Sequence, residues 1–252
     1  MKRPITFCIA ASALVFVSAC QQTETADSDA DTAGSDSAPE WGYTAENGPE
    51  KWGSLSEANA ACDTGKEQSP IDLPAAGDAN TMQVSGNYGA ASAKIVDKGY
   101  TVQADFGEGF TLTSGDNTYN LVQFHMHTPS ENTVDGKAFP MTAHLVHASD
   151  AGDFAVLGIM FEEGDANAQL QAMIDNIGGD AEIDVAGLLP SDMTVYNFPG
   201  SLTTPPCTEG VNWHVLTTPV SASAEQIAAL SEKMGNNARP VQPLNERKLT
   251  KD

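Results

Sequence analysis

The clearest alternation of apolar and polar positions lies in LVQFHMH at 121–127. On a strand, residues i and i+2 point to the same face. Phe124 and Met126 therefore share one face, while Gln123, His125 and His127 share the other. Strand is predicted for 119–127 and for four more segments, 93–106, 110–112, 143–147 and 154–161. All are rich in Val, Ile, Tyr, Phe or Thr and are bounded by Gly, Asp or Pro. Two segments carry a helical period instead. One follows Asp165, with Leu170, Met173, Ile174 and Ile177 at helical spacing and Gly178 as a stop. The other opens on Ser223 and Gln226, spaced as a capping box, carries Ile227, Leu230 and Met234, and ends at Gly235. Strands outnumber helices, so the pattern predicts a mainly β (α+β) fold with peripheral helices. No internal repeat and no composition break follows Trp41, which predicts a single domain over 41–252.

Before Trp41 the pattern is different. Lys2 and Arg3 precede an apolar run over 5–17 that is too short to span a bilayer, as a signal peptide requires. Val17-Ser18-Ala19-Cys20 resembles the bacterial lipobox. That resemblance implies a signal peptide over 1–19, cleavage before Cys20 and diacylglyceryl attachment to its sulfur. Residues 20–40 are dominated by Ser, Thr, Ala, Asp and Glu and lack the apolar surface that offsets ordering entropy, so an acidic disordered tether is expected. The chain has 12 basic against 34 acidic residues and a net charge of −22. Such a surface repels nucleic acid and anionic lipid, which excludes both as electrostatic partners. Membrane contact is expected through the lipid anchor only. The expected location is the cell envelope, on an outer-membrane face that faces the periplasm or the surface. Nothing in the sequence sets an oligomeric state.

Candidate chemistry enters with the histidines, of which there are five. His125 and His127 project side by side, which makes half a metal site. His144 and His147 sit in AHLVH on another strand-like run, and their spacing of three puts them on opposite faces. Only one of them can join the first pair. Three neutral imidazoles with an open fourth position form the catalytic pattern for Zn2+, whereas a structural site needs a fourth protein ligand. The bland alternative is that these histidines pack or hydrogen-bond in strands. His125-x-His127-x3-Glu131 with Gly136 also resembles the first cupin motif, but the second cupin motif has no counterpart. With Cys8 in the signal and Cys20 lipidated, Cys62 and Cys207 remain. An even pair in an oxidising compartment reads as a disulfide, with two buried thiols as the alternative.

Seven motifs occur in one order: WGY at 41–43, NGPEKW at 47–52, QSPI at 68–71, QFHMHTPSE at 123–131, AHLVH at 143–147, SLTTPPCTEGVNW at 201–213 and RPVQPLNER at 239–247. Together they resemble the α-class carbonic anhydrases, particularly the bacterial secreted and lipoprotein members, from Trp41 to about Arg247. The resemblance implies a large twisted, mostly antiparallel central sheet with short helices around it. It implies Zn2+ held by His125, His127 and His144, reversible hydration of CO2 to bicarbonate, and weak esterase activity. His147 becomes structural. Thr203, with Glu131 behind it, would orient a zinc-bound hydroxide. Val146, Val156, Leu202, Val211 and Trp213 would form the apolar CO2 pocket. The Thr203 backbone N–H and the Thr204 hydroxyl would hold bicarbonate, and also sulfonamide and anion inhibitors. Gln123 would bond the free ring nitrogen of His125, Tyr43 would join the water network above the metal, and Cys62 and Cys207 would pair. A catalytically weak or retired zinc-binding relative is the alternative, although retired members typically lose a zinc histidine and all three are present.

Two positions depart from the family pattern. Tyr100 stands where fast members carry a proton-shuttling histidine, and a phenol with pKa near 10 is a poor carrier at neutral pH. His214 falls in the strand after the Thr-Thr loop and reads as structural. Proton release is therefore expected to limit turnover unless buffer takes the proton; a rate at pH 7 indifferent to imidazole concentration would argue against this. Thr142 stands where the family has a glutamate bonded to the third histidine ligand. It shares the face of His144 but is short and uncharged, so contact through water and weaker zinc retention are expected. Asn132 is a further small difference to which the sequence assigns no role.

Overall fold

The computed structural model describes residues 41–75 and 82–249. The expected leader (1–19) and tether (20–40), with Cys20, lie outside them. Eight strands make the body of the large sheet: β1 Ala90–Asp97, β2 Val102–Asp105, β3 Asn117–His127, β4 Met141–Ala148, β5 Phe154–Glu163, β6 Asp180–Asp184, β7 Thr194–Ser201 and β8 Glu209–Leu216. Their spatial order is β6-β1-β2-β3-β4-β5-β8-β7, extended by Met82–Gln83, with Thr111–Ser114 pairing β3. Every pair along that path is antiparallel except β5 with β8. The short strand Val220–Ala222 also pairs parallel with β5. The architecture is the mainly β one that the alternation predicts.

Most strand ends fall a few residues from the sequence expectation, β6 and β7 lie where no strand was predicted, and two differences have a clear local reason. The single run predicted over 93–106 is two strands, β1 and β2, because Lys98–Thr101 turns between them with Gly99 at φ +81. A left-handed φ suits glycine, which has no Cβ to clash. The helix expected after Asp165, α1 Ala168–Asp175, ends before Ile177 and the predicted stop at Gly178; the Asn167 side chain caps its start by accepting from the N–H of Gln169 and Leu170. The second, α2 Ala224–Met234, carries the predicted reciprocal bonds between Ser223 and Gln226. Gly235, at φ +68, ends it.

The sheet has an apolar face and a working face. Phe124, Met126, Leu145, Leu157 and Ile159 on the first pack with Leu170 and Met173 of α1 and Leu230 of α2. Burial of this size is the main term holding the sheet together. On the opposite face, Val146, Val156, Phe198, Val211 and Trp213 form a second cluster. Strand β4 is buried on both faces, as a central strand must be. Cys62 and Cys207 are bonded, closing a loop of 145 residues against Trp52. The disulfide reading holds over the free-thiol one.

His147 and His214 lie on the face away from His125. His147 shares a hydrogen bond of 2.8 Å with the Tyr88 hydroxyl, and His214 one of 2.8 Å with Ser114 Oγ. Both are fully buried, so both are structural. Desolvation pushes the His147 pKa down to about 3 and the His214 pKa down to about 4. The unfolded chain titrates near 6.5, so below that pH it binds protons that the folded state refuses. Stability is therefore full above about pH 6.5 and falls as pH drops towards 4, by up to ~1.4 kcal/mol per pH unit for each histidine. Urea midpoints should fall between pH 7 and pH 5, and His214→Asn should flatten that slope. An unchanged slope in the variant would contradict the assignment.

Candidate metal centre

Strand pairing assembles the centre. His125 and His127 come from β3, and His144 on β4 is the cross-strand partner of His125. Directly opposed residues place their Cβ atoms within about 5.5 Å, so three rings must crowd together. Ring centroids are 5.0 Å apart for His125 and His127, 5.5 Å for His125 and His144, and 4.6 Å for His127 and His144. One ring nitrogen from each lies within 4.8 Å of the others. His147 is excluded by the strand period, as expected.

Two of the rings are oriented from outside the cluster. His125 Nδ1 donates to Gln123 Oε1 at 2.9 Å. His127 Nδ1 faces the backbone carbonyl of Asn237 at 2.9 Å. A carbonyl only accepts, so His127 carries its proton on Nδ1 and presents a bare Nε2. That Nε2 is buried and has no hydrogen-bond partner. It lies 3.5 Å from Glu131 Oε2, and His144 Nδ1 lies 3.7 Å from the same oxygen, so the two nitrogens face one region. Burial first, and mutual repulsion second, hold His125 and His144 well below the ordinary histidine pKa. Neutral, convergent, unsatisfied imidazole nitrogens fit a divalent cation of nitrogen preference, zinc above all.

The surrounding residues divide clearly. Glu131 is buried and accepts the Arg239 backbone N–H at 2.8 Å. Desolvation raises its pKa, while His127, the Thr203 hydroxyl and Arg239 oppose that shift. Its Oε2 makes no full hydrogen bond. A pocket of about 40 Å³ is lined by His125, His144, Val146, Val156, Leu202, Thr203, Thr204 and Trp213. Of the five predicted pocket residues only Val211 is not in that lining; it packs in the apolar cluster beside Val156 and Trp213. Trp213 Nε1 donates to the Ser201 carbonyl at 2.8 Å, tying the loop carrying Thr203 to β8. The Cys207 N–H closes the same loop onto the Thr204 carbonyl at 2.9 Å.

Tyr43 and Tyr100 belong to an aromatic group with Trp41 and Trp52. Tyr100 lies 4.7 Å from Trp41 and 6.3 Å from Tyr43, centroid to centroid. Burial raises the pKa of both phenols, and Glu131 adds to the rise at Tyr43. The Tyr43 hydroxyl is buried without a partner. Thr142 makes no bond to His144: its hydroxyl donates to the Ile159 carbonyl at 3.0 Å. Asn132 Oδ1 accepts the Ile71 N–H at 2.9 Å, which is a structural task.

Sequence reasoning missed Asn237 and Arg239. Asn237 is fully buried; besides holding His127, its side chain accepts the Thr128 N–H and donates to the carbonyls of Tyr100 and Met126. Arg239 donates to Gln68 Oε1 and to the carbonyls of Ser69 and Cys62. RPVQPLNER at 239–247 was the available signal for Arg239. A backbone acceptor such as the Asn237 carbonyl leaves no residue-type signature.

Residues 47–252 match the family model described as eukaryotic-type carbonic anhydrase. The chain is 41% identical over 216 residues to a carbonic anhydrase of Pectobacterium carotovorum, covering 82% of this chain and 88% of that protein. It superimposes on the α-carbonic anhydrase of Thermovibrio ammonificans in complex with the inhibitor sulfanilamide, with a TM-score of 0.77, 41% identity and coverage of 83% of this chain and 98% of that one. The α-carbonic anhydrase of Photobacterium profundum gives a TM-score of 0.75 at 42% identity, covering 83% and 99% of the two chains.

Proposed function

This chain belongs to the eukaryotic-type carbonic anhydrase family and is a carbonic anhydrase; on that basis we propose that its CO2 hydration depends on one zinc ion held by His125, His127 and His144. The observation that carries the reading is the convergence of three imidazoles, two of them buried, whose nitrogens lie within 4.8 Å of one another. Bound there, zinc supplies the Lewis acidity that makes hydroxide available near neutral pH.

The protein's own residues supply the rest. Depressed histidine pKa values remove proton competition for the metal. Gln123 and the Asn237 carbonyl fix two of the rings. Glu131 is an acceptor at Thr203, so the Thr203 hydroxyl donates its proton inward and leaves its oxygen to accept from the attacking nucleophile. Val146, Val156, Leu202 and Trp213 give CO2, an apolar molecule, a water-poor seat beside that nucleophile. The Thr203 N–H and the Thr204 hydroxyl hold bicarbonate, or the sulfonamide of an inhibitor. Tyr43 and Tyr100, with pKa values raised by burial, are poor proton carriers, so the proton leaves with external buffer.

Stopped-flow CO2 hydration with parallel metal analysis tests the reading. One zinc per chain and activity suppressed by a sulfonamide are expected. Zinc without activity would support a retired relative, and activity without stoichiometric metal would overturn the assignment.

We place the protein at the cell envelope, anchored by lipid on Cys20. Support comes from the positive-apolar-lipobox order of residues 1–20. Among the described residues no helix is long and apolar enough to cross a membrane. Fatty-acid labelling that persists in Cys20→Ser would contradict the anchor.

A further inference from the structure

The β2 side of the centre carries a charge that the proposed chemistry does not use. In the pairing of β2 with β3, Gln103 stands opposite His125 and Asp105 opposite Gln123. Opposed residues share a face, so both side chains lie on the working face. The alternate residues Val102 and Ala104 are buried in the apolar layer behind. Gln103, Asp105, Gln123 and His125 are half-buried, whereas Val146, Val156 and Trp213 across the centre are buried. The open side of the site is therefore the polar one. Diagonal neighbours on adjacent strands lie about 7–8 Å apart, and Asp105 stands in that relation to His125.

Two features leave this carboxylate uncompensated. Gln103 Nε2 donates to Asp105 Oδ1, which holds the acid along β2 on the side of the residue that faces His125. Lys94 is the cation opposite Asp105 in the pairing of β1 with β2. It is equally opposite Asp180 in the pairing of β1 with β6, so one cation stands between two carboxylates. Among the described residues Lys94 closes an ion pair with neither.

We propose that Asp105 is a specificity-determining residue of this site: its charge shortens the stay of anions at the metal centre, bicarbonate included, and does not oppose uncharged CO2. This rests on the three-histidine zinc reading above. Gln103 positions the carboxylate and Lys94 moderates it. The site then sheds its anionic product readily in the hydration direction and resists inhibitory anions. A unit charge about 8 Å away changes anion affinity about twofold at the dielectric of water, and about thirtyfold at the effective value near 20 that applies at protein surfaces.

The test uses thiocyanate, a monoanion that competes for a metal position, and reads its inhibition constant in CO2 hydration by the zinc-loaded protein. Asp105→Asn keeps the size and an acceptor for Gln103. At low ionic strength it should lower the constant about 3–10-fold, within the range set by distance and dielectric. Asp105→Glu keeps the charge and should stay within about twofold of the parent, whereas Lys94→Gln removes the moderating cation and should raise the constant. Salt raised from about 0.01 M to about 0.3 M shortens the Debye length from about 30 Å to below 10 Å and should shrink the Asp105→Asn effect to less than about twofold. The sign separates this from a structural role, because a merely disturbed wall would not make anions bind more tightly. An unchanged or raised constant in Asp105→Asn would overturn the proposal. A tightening that high salt leaves intact would do so too, since it would report a direct contact and not a field. A parent protein that takes up no zinc would sink the underlying metal assignment, an outcome seen by metal analysis before any anion is added.

Discussion

His127→Ala should abolish stoichiometric zinc binding and lower CO2 hydration by more than the ~10–100-fold typical of an outer-shell loss. His127 is the best-prepared ligand in the protein. It is 1% exposed, its Nδ1 is fixed by the Asn237 carbonyl at 2.9 Å, and its Nε2 has no partner within the protein. Removing it leaves His125 and His144, and a divalent cation on two neutral imidazoles loses one of the three protein ligands of a catalytic zinc site. Metal analysis after dialysis, paired with stopped-flow hydration, measures the effect; circular dichroism confirms that the sheet persists. A variant that retained one zinc per chain would show that the cation sits elsewhere.

Loss of the Cys62–Cys207 bond should produce the largest change in stability. The bond closes 145 residues, and in the chain-entropy description a loop of that length is worth about 5 kcal/mol. It also sits in a hydrogen-bonded knot. Gln68 Nε2 donates to the Cys207 carbonyl at 3.0 Å, Arg239 Nη2 donates to the Cys62 carbonyl at 2.9 Å, and Trp52 is fully buried beside both cysteines. The same knot leads into Thr203 and Thr204 through the Cys207 N–H. The double variant Cys62→Ser, Cys207→Ser should therefore unfold at much lower urea and also lose activity under conditions where it remains folded. Midpoints compared at equal pH and saturating zinc measure the first effect. A shift below about 1 kcal/mol would mean that the remaining contacts hold the loop unaided.

What the sequence revealed depended on how local each signal was. Strand β3 was legible because a period of two operates over adjacent residues, and it correctly paired His125 with His127. The same rule separated His144 from His147 before any fold was known. The capping box of α2 was legible because Ser223 and Gln226 bond within one turn. The break between β1 and β2 was not, since a β-rich run hides a turn whose only marker is Gly99. The sequence placed α1 only as a helix following Asp165; its cap is Asn167, whose side-chain oxygen accepts from two N–H groups.

Across the site, contacts between distant segments carried no residue-type signature. The acceptor for His127 is a main-chain oxygen 110 positions away. The contact of Val211 with its neighbours, rather than with the pocket, follows from side-chain direction that the motif SLTTPPCTEGVNW does not encode. Thr142 was recognised as a departure, but only the structure shows that its hydroxyl is bonded to Ile159 and that His144 Nε2 has nothing in its place.

The proposed site rests on three imidazoles gathered by β3 and β4 around one cation with a position left for chemistry. X-ray absorption at the zinc edge of the loaded protein tests that directly. Three imidazole nitrogens plus one light, exchangeable ligand are expected, with the last replaced on adding a sulfonamide. A fourth ligand from the protein, sulfur in the first shell, or fewer than three imidazoles would contradict it.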